Sequence, residues 1–464
     1  MSGTSYARFL AGKAQPATAS GFDPTIMPAH LFGFQRDLVD WSVRQGRGAI
    51  FADCGMGKTP MELAWAQNVH AHTGKPVLVL TPLAVGFQIV GEAAKFGAEA
   101  GLSRSGQAVA PITVTNYEQV EKFNPDHFGG VVCDESSAIK AFEGTRRAQV
   151  TEFLRIVPYR LLGTATAAPN DYTELGTSSE ALGQLGLIDM LNQFFVNDNR
   201  TSDIKGGRTN RQGKLLHTGG GWRFKGHAQQ PFWRWVSSWA RAIRKPSDYG
   251  YDDDGFLLPE LIERVTVVQA RQSRPGTLFD TPAFGLAEER EELRRTIAER
   301  CEAAADAIAD ADCAVAWCHL NDESKRLAKL LPGAVEVAGS DSPYDKEEKL
   351  AAFSRGEIRY LVTKPSIGAW GLNWQHCHRM VMFPSHSYEQ YYQAVRRSWR
   401  FGQTRPVTVD IVSTEGMAPA LANMRRKAEA SDLMFAELLE HMTNALVIDR
   451  RRNFATAMEV PPWL

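Results

Sequence analysis

The sequence lacks any apolar run that approaches the roughly 20 residues a membrane span requires, although 44% of its 464 residues are hydrophobic. Its N-terminal stretch also lacks the apolar core of a secretory signal peptide. The small and polar residues there predict a loosely ordered arm. We therefore expect no membrane partner, no export and a cytoplasmic location.

Cysteine is scarce, with six residues scattered along the chain and mostly inside apolar, strand-like runs. Two groupings contain possible metal ligands, Cys313 and Cys318 with His319, and Cys377 with His378, but neither has close zinc-finger spacing. We interpret the cysteines as reduced core residues in a reducing compartment.

Excess charge is also lacking, because 52 Lys and Arg residues face 53 Asp and Glu residues, for a net charge of −1. A protein that binds a polyanion over its whole surface would be strongly basic. Any nucleic-acid surface on this chain must therefore be local.

What the chain does contain is two stretches in which short apolar, β-rich runs alternate with helical patterns. Such alternation predicts parallel sheets flanked by helices, hence an α/β fold. A Gly-, Trp- and Arg-rich segment separates the two stretches, and helical spacing returns in the tail, which we expect to pack on the second lobe. The predicted organisation is an N-terminal arm, a first lobe, an insertion and linker, a second lobe and a helical tail, at residues 1–27, 28–185, 186–260, 261–418 and 419–464.

The segment FADCGMGKT follows an apolar strand and precedes a helical pattern. Gly55 and Gly57 let the backbone curl so that successive N–H groups, including that of Met56, face phosphate oxygens. Lys58 can reach the β and γ phosphates, and Thr59 can ligate Mg²⁺. The alternative is a glycine turn before a helix with an incidental lysine, which the strand-turn-helix context disfavours.

The segment VVCDESS places Asp134 and Glu135 at the end of a buried strand. This is the edge of an open α/β sheet at which ligands bind. Asp134 is a candidate for holding Mg²⁺ through water, and Glu135 for orienting or deprotonating the attacking water. An isolated Asp-Glu pair after a strand is usually a helix cap, but the loop about 75 residues upstream makes the pair more specific.

The segment QAVRRSWRFGQ contains Arg397 and Arg400, which are three positions apart and would point to one side of a helix. A cationic pair of this kind can stabilise the charge that develops on a transferring phosphoryl group. Standing alone, the segment could equally be a solvated basic helix, but Gln393, Gly402 and Gln403 around it favour a catalytic role.

Together these segments resemble the superfamily-two helicases and, within them, the Swi/Snf-like DNA translocases of phage or bacterial type. The resemblance extends over most of the chain, in the order LFGFQRDLVDW, FADCGMGKT, VLVLTP, ITVTNYEQV, DESSAIK, LLGTATAAPNDYTEL, AVAWCHLN, LVTKPSIGAWGLN and QAVRRSWRFGQ. Ser136 and Ser137 stand where the family has Ala and His. The second-last segment lacks the family's Gly-rich run.

The resemblance implies two tandem RecA-like P-loop domains that hydrolyse ATP with Mg²⁺. The resemblance also implies that Gln35 recognises the adenine base and that Gly371 belongs to the nucleotide-binding site. It also implies a groove that follows a nucleic-acid backbone without reading its sequence. The candidate contacts there are Thr81, Asn116, Thr164, Thr363 and Lys364, each of which could instead be an ordinary polar residue at a strand end.

The segment from residue 196 to residue 250 has eleven Lys or Arg and three Asp, a local balance of +8, with four tryptophans interleaved. Basic residues favour phosphate contacts and aromatic rings can stack on bases. We expect the first half, with Arg208, Arg211 and Lys214, to be a basic loop that contacts DNA. The second half looks like an amphipathic helix whose tryptophans pack mainly on the first lobe.

Three readings of the function stay open from sequence. The first is an ATP-driven translocase or helicase, monomeric, that moves on duplex or branched DNA in a bacterial or phage-infected cytoplasm. The second is an RNA helicase of the same superfamily, which Gln403 disfavours because RNA helicases of the DEAD-box type end this motif with arginine. The third is a nucleic-acid-binding scaffold with a vestigial nucleotide site. Such a scaffold would not need the full set of Lys58, Asp134, Glu135, Arg397 and Arg400. A small-molecule kinase is weaker still, because it does not explain the second lobe.

Overall fold

The computed structural model describes residues 19–82, 85–141, 145–168, 172–197, 221–271, 286–368 and 372–456. The chain divides into two compact units. Unit 1 contains Met1–Asp253 and Ser431–Leu464, and unit 2 contains Asp254–Ala430. Within the described ranges, no helix combines the length and the apolar character that crossing a bilayer would take.

The described strands of unit 1 are β1 (Arg47–Ala52), β2 (Val77–Thr81), β3 (Ala100–Leu102), β4 (Ile112–Asn116), β5 (Gly130–Cys133), β6 (Tyr159–Thr164), β7 (Phe195–Asn197), β8 (Trp222–Phe224) and β9 (Ala240–Ile243). Seven of them form a parallel sheet in the order β3-β4-β2-β5-β6-β1-β9, and β7 pairs with β8 in a separate antiparallel ribbon. Every residue of β2 and β5 is buried, as expected for strands covered on both faces. Because the strands are parallel, the loops that follow β1, β2, β4, β5 and β6 all lie at one edge of the sheet.

The α-helices of unit 1 before β9 are α1 (Gly33–Gln45), α2 (Lys58–Thr73), α3 (Gly86–Lys95), α4 (Ala138–Ala141), α5 (Thr145–Ile156), α6 (Leu175–Leu182), α7 (Leu187–Phe194) and α8 (Gln229–Trp239). Short 3-10 helices occur at Tyr117–Lys122, Pro125–His127, Tyr172–Glu174 and Pro246–Tyr249. Helix α2 ends at Gly74, which has a φ of +65° and donates its N–H to the His70 carbonyl at 2.9 Å. Glycine suits this left-handed position because it has no Cβ.

Helix α8 and strand β9 belong to unit 1 and do not form an insertion between lobes. Phe232, Trp233 and Trp239 are fully buried, and their rings pack with neighbouring aromatic side chains. Strand β9 pairs in parallel with β1, so that Ala240 lies beside Ala49. The expected boundary at residue 186 is therefore corrected, because the apolar face of this segment completes the core and the sheet of unit 1.

The strands of unit 2 are β10 (Leu261–Val268), β11 (Ala314–Trp317), β12 (Val335–Val337), β13 (Tyr360–Thr363), β14 (Arg379–Met382) and β15 (Val407–Thr414), in the parallel order β10-β15-β14-β11-β13-β12. The remaining helices are α9 (Leu286–Arg295), α10 (Ile297–Ile308), α11 (Asn321–Leu330), α12 (Pro343–Ser354), α13 (Pro365–Gly368), α14 (Tyr388–Val395) and α15 (Ala418–Thr456), with a 3-10 helix at Glu415–Met417. Strand β11 shows how the core is divided. Val315 and Trp317 pack in one apolar cluster and Ala314 and Ala316 in another, as the two-residue period of a strand requires.

The predicted fold class, tandem parallel sheets flanked by helices with a helical C-terminal segment, is confirmed. Two boundaries differ from expectation. The arm is hydrogen-bonded from Ser20, whose N–H donates to the Gln45 carbonyl, and Thr25 donates to Asn68 Oδ1. Helix α15 was expected to pack on the second lobe, but from Ser431 onward it belongs to unit 1, where Met442 Sδ accepts from the Ala242 N–H.

Unit 2 also contains a buried ion pair that no sequence pattern predicted. Arg300 and Glu323 are both fully buried, with 2.6 Å between Nη1 and Oε1. The other carboxylate oxygen accepts the N–H groups of His319 and Leu320, each at 2.9 Å. The guanidinium also lies 4.7 Å from the centre of the Phe383 ring. These contacts join helices α10 and α11 to the end of strand β11.

Candidate active site

The loop after β1 is shaped by two glycines. Gly55 has a φ of +93° and Gly57 a φ of +78°, and Met56 between them donates its N–H to the Asp53 carbonyl at 3.2 Å. Helix α2 begins directly afterwards at Lys58. The loop therefore curls ahead of a helix N-terminus, which is the arrangement that presents backbone N–H groups to an anion. The N–H of Met56 differs from expectation, because it bonds within the loop and does not face outward.

Gln35 holds this loop from helix α1. Its side-chain Nε2 donates to the Met56 carbonyl at 2.9 Å, and its Oε1 accepts from the Phe32 N–H at 3.0 Å. The residue is buried. Gln35 thus lies beside the loop, while reading of adenine by this amide stays a prediction.

Lys58 is the first residue of α2, and its Nζ donates to the Ala52 carbonyl at 3.0 Å. Burial alone would lower the pKa of this ammonium group, but its electrostatic interactions with Cys54, Glu135, Asp134 and Asp53 outweigh burial and raise the pKa above the ordinary value. Lys58 is therefore a permanent cation among these acidic groups. An ammonium group carries three N–H donors, so it can hold the loop and also bind phosphate.

Replacing Gly57 by alanine should weaken binding of ATP, the ligand that the sequence predicts for this loop, by more than about tenfold, equivalent to about 1.4 kcal/mol. A Cβ at this position would lie 2.2 Å from Gln35 Nε2, so the amide must leave the Met56 carbonyl. Gly74→Ala is the matched control, because Gly74 also has a positive φ, +65°, but nothing lies within 4 Å of an added Cβ. Both variants should lose about 1–2 kcal/mol of folding stability from backbone strain. ATP affinity is measured by titration with a fluorescent ATP analogue. Equal affinities for the two variants would show that the Gln35 contact does not support ATP binding by the loop.

Asp134 follows β5 and is held by three hydrogen bonds. Its N–H donates to the Leu80 carbonyl at 2.9 Å, its carbonyl accepts from the Tyr117 hydroxyl at 2.8 Å, and its Oδ2 accepts from the Thr81 hydroxyl at 3.0 Å. Burial, together with the charge of Glu135, raises the pKa of the Asp134 carboxyl to about 7, although Lys58 and Thr81 oppose this. A buried carboxyl with an elevated pKa beside a cation is typical of a functional site.

Glu135 has a φ of +50° and is the one non-glycine residue with a positive φ in the described part of the chain. Ser136 donates its N–H to the Gly163 carbonyl at 2.8 Å, which fixes the chain just after this strained residue. The Thr164 hydroxyl lies 3.4 Å from Glu135 Oε2. Strained backbone of this kind is concentrated at functional sites, and here it aims a buried carboxylate at the sheet edge.

Two side chains at this edge were not predicted. Tyr117, directly after the candidate Asn116, supports Asp134 through its hydroxyl. Glu62 lies one turn after Lys58 on α2 and is 4% exposed, and neither of its carboxylate oxygens has a hydrogen-bond partner in the described residues. Burial is the main cause that raises the pKa of Glu62 well above its ordinary value. The helical spacing from Lys58 could have indicated that Glu62 lies near the loop. The absence of a hydrogen-bond partner for its carboxyl group among the described residues could not be predicted from sequence.

In unit 2, helix α14 ends at Val395 and the chain continues in turns, so Arg397 and Arg400 do not share a helical face as expected. Arg397 is buried and its guanidinium donates to the Gln393 side chain and carbonyl and to the Leu372 carbonyl, each at 3.0 Å. Gln393 is also fully buried, and its Nε2 has no partner among the described residues. Arg400 is half-buried. After Val395 the N–H groups of Arg397 and Ser398 donate to carbonyls three residues back, Ala394 at 3.3 Å and Val395 at 3.1 Å, which is the spacing of a turn and not of an α-helix.

Gln403, the residue that carried the distinction from RNA helicases, has a structural role in unit 2. Its Nε2 donates to the carbonyls of Gln375 and Ser398 at 2.9 and 3.1 Å, and its Oε1 accepts from the N–H groups of Thr404 and Arg405. An amide side chain can donate to backbone carbonyls and accept from backbone N–H groups at the same time, whereas an arginine side chain can only donate. Gln403 therefore shapes the backbone that follows Arg400.

The candidate nucleic-acid contacts divide into two groups. The hydroxyls of Thr81, Thr164 and Thr363 are buried, and they contact Asp134, Glu135 and the Val337 carbonyl respectively. Asn116 and Lys364 are half-buried, so these two stay predictions as contacts. Gly371, Arg208, Arg211 and Lys214 lie outside the described residues.

No protein-family model matches the sequence, and no curated protein matches it. Among solved structures, the chain is similar to one described as "Sulfolobus solfataricus SWI2/SNF2 ATPase core in complex with dsDNA". That match has 15% sequence identity and a TM-score of 0.40, and it covers 90% of this chain and 98% of the other. These values are too low to assign the chain to that family.

Proposed function

We propose that the chain is an ATPase that uses the energy of hydrolysis to move along DNA, with separation or remodelling of branched strands as a further capability. The observation that supports this most strongly is the convergence of Lys58, Asp134 and Glu135 at one edge of the unit 1 sheet. They lie on two loops separated in sequence, and the charge of Glu135 helps to raise the pKa of both Lys58 and Asp134. A vestigial site would have no reason to keep a strained, buried glutamate there.

The triphosphate of ATP fits the loop formed by Gly55, Met56 and Gly57, because the backbone curls there just before helix α2. Gly57 caps this helix without a side-chain hydrogen bond, so the helix N-terminus can bind an anion. Lys58 binds the β and γ phosphates. The Gln35 side chain binds the adenine base. Thr59 and Asp134 supply the hard oxygen ligands that Mg²⁺ prefers. When bound there, Mg²⁺ neutralises charge on the β and γ phosphate oxygens.

Glu135 orients the attacking water and accepts its proton. Thr164 steadies the Glu135 carboxylate and Thr81 steadies Asp134, so both threonines are positioning residues in this proposal. From unit 2, Gln393, Arg397 and Arg400 act on the γ phosphate as charge develops.

We propose DNA as the polymer, with RNA less favoured, and a monomer as the working form in a bacterial or phage-infected cytoplasm. Asn116, Lys364 and the basic segment with Arg208, Arg211 and Lys214 supply backbone contacts, and Gly371 belongs to the nucleotide site. The preference for DNA depends on the segment Arg400–Gln403 and its resemblance to the Swi/Snf-like translocases. Phosphate contacts of this kind position the protein without selecting a sequence.

Changing Arg208, Arg211 and Lys214 together to glutamine should flatten the salt dependence of DNA binding. If all three contact phosphates, the slope of log affinity against log salt becomes shallower by about 2.7 for duplex DNA. The measurement is fluorescence anisotropy of labelled duplex across a salt series. An unchanged slope would show that these three residues do not contact DNA phosphates.

The test of the proposed function is an ATPase assay with single-stranded DNA, duplex, forked DNA and RNA as activators. We expect stimulation by at least one form of DNA and little by RNA, and none in the Lys58→Ala variant. Stimulation by RNA alone would support the RNA helicase reading. DNA binding without any ATP turnover would support a scaffold and contradict the proposal.

A further inference from the structure

Two cysteines of unit 2 lie next to each other where the chain enters strands β11 and β14. Cys313 directly precedes β11, and Cys377 lies two residues before β14, which pairs with β11 in parallel. The Cys377 sulfur lies 3.8 Å from the Cys313 carbonyl oxygen, and the two thiols are hydrogen-bonded to each other. Side chains in direct contact across neighbouring strands have the placement that a disulfide requires.

The two thiols differ in exposure and in acidity. Cys377 is fully buried, whereas Cys313 is half-buried and reaches the surface. The hydrogen bond from the Cys377 thiol lowers the pKa of Cys313 to about 6, and the nearby His376 side chain adds to this, although burial opposes it. The same contact, together with burial, raises the pKa of Cys377 well above its ordinary value. Near neutral pH, Cys313 is therefore a thiolate and Cys377 a neutral thiol.

The other two cysteines of unit 2 lack this combination. Cys301 and Cys318 are fully buried, and burial raises the pKa of both thiols, that of Cys301 to about 12. Thiols buried in apolar surroundings are inert, whereas a thiolate that reaches solvent beside a second cysteine is the kind that oxidants attack. The reactive pair of this unit is therefore Cys313 with Cys377.

The loop that carries Cys377 also supports the backbone around Arg400. Trp374, whose carbonyl accepts the Cys377 N–H at 3.0 Å, donates its own N–H to the Arg397 carbonyl at 2.8 Å. On the other side, Gln403 Nε2 donates to the Cys377 carbonyl at 3.4 Å. A displacement of Cys377 is thus transmitted through direct hydrogen bonds to the residues that flank Arg400.

We propose that Cys313 and Cys377 form a reversible disulfide that displaces this loop and slows ATP turnover, with a peroxide as the oxidant. The Cys313 thiolate attacks one peroxide oxygen and becomes a sulfenic acid, while the O–O bond breaks and the other oxygen leaves as hydroxide. The Cys377 sulfur then displaces the sulfenic hydroxyl as the S–S bond forms, and the Cys377 proton leaves with that hydroxyl as water. Overall, the two cysteines lose two electrons and hydrogen peroxide is reduced to two waters.

The effect on turnover rests on the proposed function, whereas formation of the disulfide does not. A disulfide holds its sulfur atoms about 2.05 Å apart, closer than two hydrogen-bonded thiols, so the Cys377 loop has to move. Misplacing a reacting group by about 1 Å costs roughly 10²-fold in rate, and we expect oxidation to lower ATP turnover by at least about tenfold. Reduction with dithiothreitol should restore it.

The test treats the full-length protein with hydrogen peroxide, maps disulfides by peptide mass spectrometry and measures ATP turnover with DNA. The wild type should show the link between Cys313 and Cys377 and lose turnover. Cys313→Ser should keep its turnover, and Cys377→Ala should form a sulfenic acid at Cys313 that dimedone traps. Cys318→Ala is the matched control, because Cys318 lies in the same unit, and it should respond to peroxide as the wild type does.

The two readouts separate the levels of the proposal. Absence of the link in the oxidised wild type would overturn it. A link without a change in turnover, or an equal loss of turnover in Cys313→Ser through oxidation of Cys54 in the phosphate loop, would overturn the effect on turnover and leave the proposed ATPase standing. If the reduced wild type hydrolyses no ATP, the ATPase and the effect on turnover both fail, and mass spectrometry alone decides whether the disulfide forms.

Discussion

The Glu135→Gln variant should turn over ATP about 10²- to 10⁴-fold more slowly than the wild type, the range that loss of a general base usually causes. Glutamine keeps the size and the hydrogen-bonding oxygen that Thr164 contacts but cannot accept the proton of the attacking water. ATP affinity should be maintained, because the loop, Lys58 and Gln35 are untouched. Steady-state turnover and ATP binding are measured on the same preparation.

Folding stability provides the second readout for this variant. Glu62, Asp134 and Glu135 are all buried. Burial is the main cause that raises the pKa of Asp134 and of Glu62, and the charge of Glu135 raises both further. Removing one of these charges should leave the melting temperature of the ATP-free protein unchanged or higher. Glu118→Gln, at an exposed position in the same unit, is the matched control and should keep full activity. Full turnover in Glu135→Gln would exclude it as the base.

The Arg300→Met variant should destabilise unit 2 by about 3–5 kcal/mol, the usual cost of breaking a buried ion pair by removing one partner. Methionine fills part of the space but leaves the Glu323 carboxylate without its cation in a fully buried position. The Thr296 hydroxyl and the Leu293 carbonyl also lose their donor. With a urea m-value of about 1–3 kcal/mol/M, the unfolding midpoint should fall by roughly 1 M or more.

Arg355→Met is the control for this prediction. Arg355 pairs with Glu348 and Glu357, but its side chain is 49% exposed and solvent screens both pairs. Its removal should leave the urea midpoint almost unchanged, because solvent-exposed ion pairs contribute little to stability. Equal urea midpoints for the two variants would show that the Arg300 pair contributes no more than a surface one.

The sequence predicted the sheets and the phosphate loop because both depend on local patterns. Continuous apolar runs identified strands such as β2 and β5, and the spacing of Gly55, Gly57 and Lys58 identified the loop. These features need no knowledge of distant contacts. The same is true of Asp134 and Glu135, whose place follows from the end of a buried strand in a parallel sheet.

The roles of individual polar residues were harder to predict, because they depend on which groups meet across strands. Thr81 and Thr164 were expected to face a nucleic-acid backbone, yet their hydroxyls turn inward to Asp134 and Glu135. Trp239 packs on the first lobe as expected, but strand β9 after it was assigned to a linker, because the pairing of β9 with β1 depends on a distant contact. The pairing of Arg300 with Glu323 spans 23 residues and has no local signature at all.

The most direct test of ATP-driven movement is displacement of a third strand from a DNA triplex located some distance along a duplex that carries a single-stranded tail. Movement predicts release of the third strand that requires ATP, proceeds without separation of the duplex strands, and is absent in Lys58→Ala. Hydrolysis that DNA stimulates, but that never releases the third strand, would contradict movement along DNA.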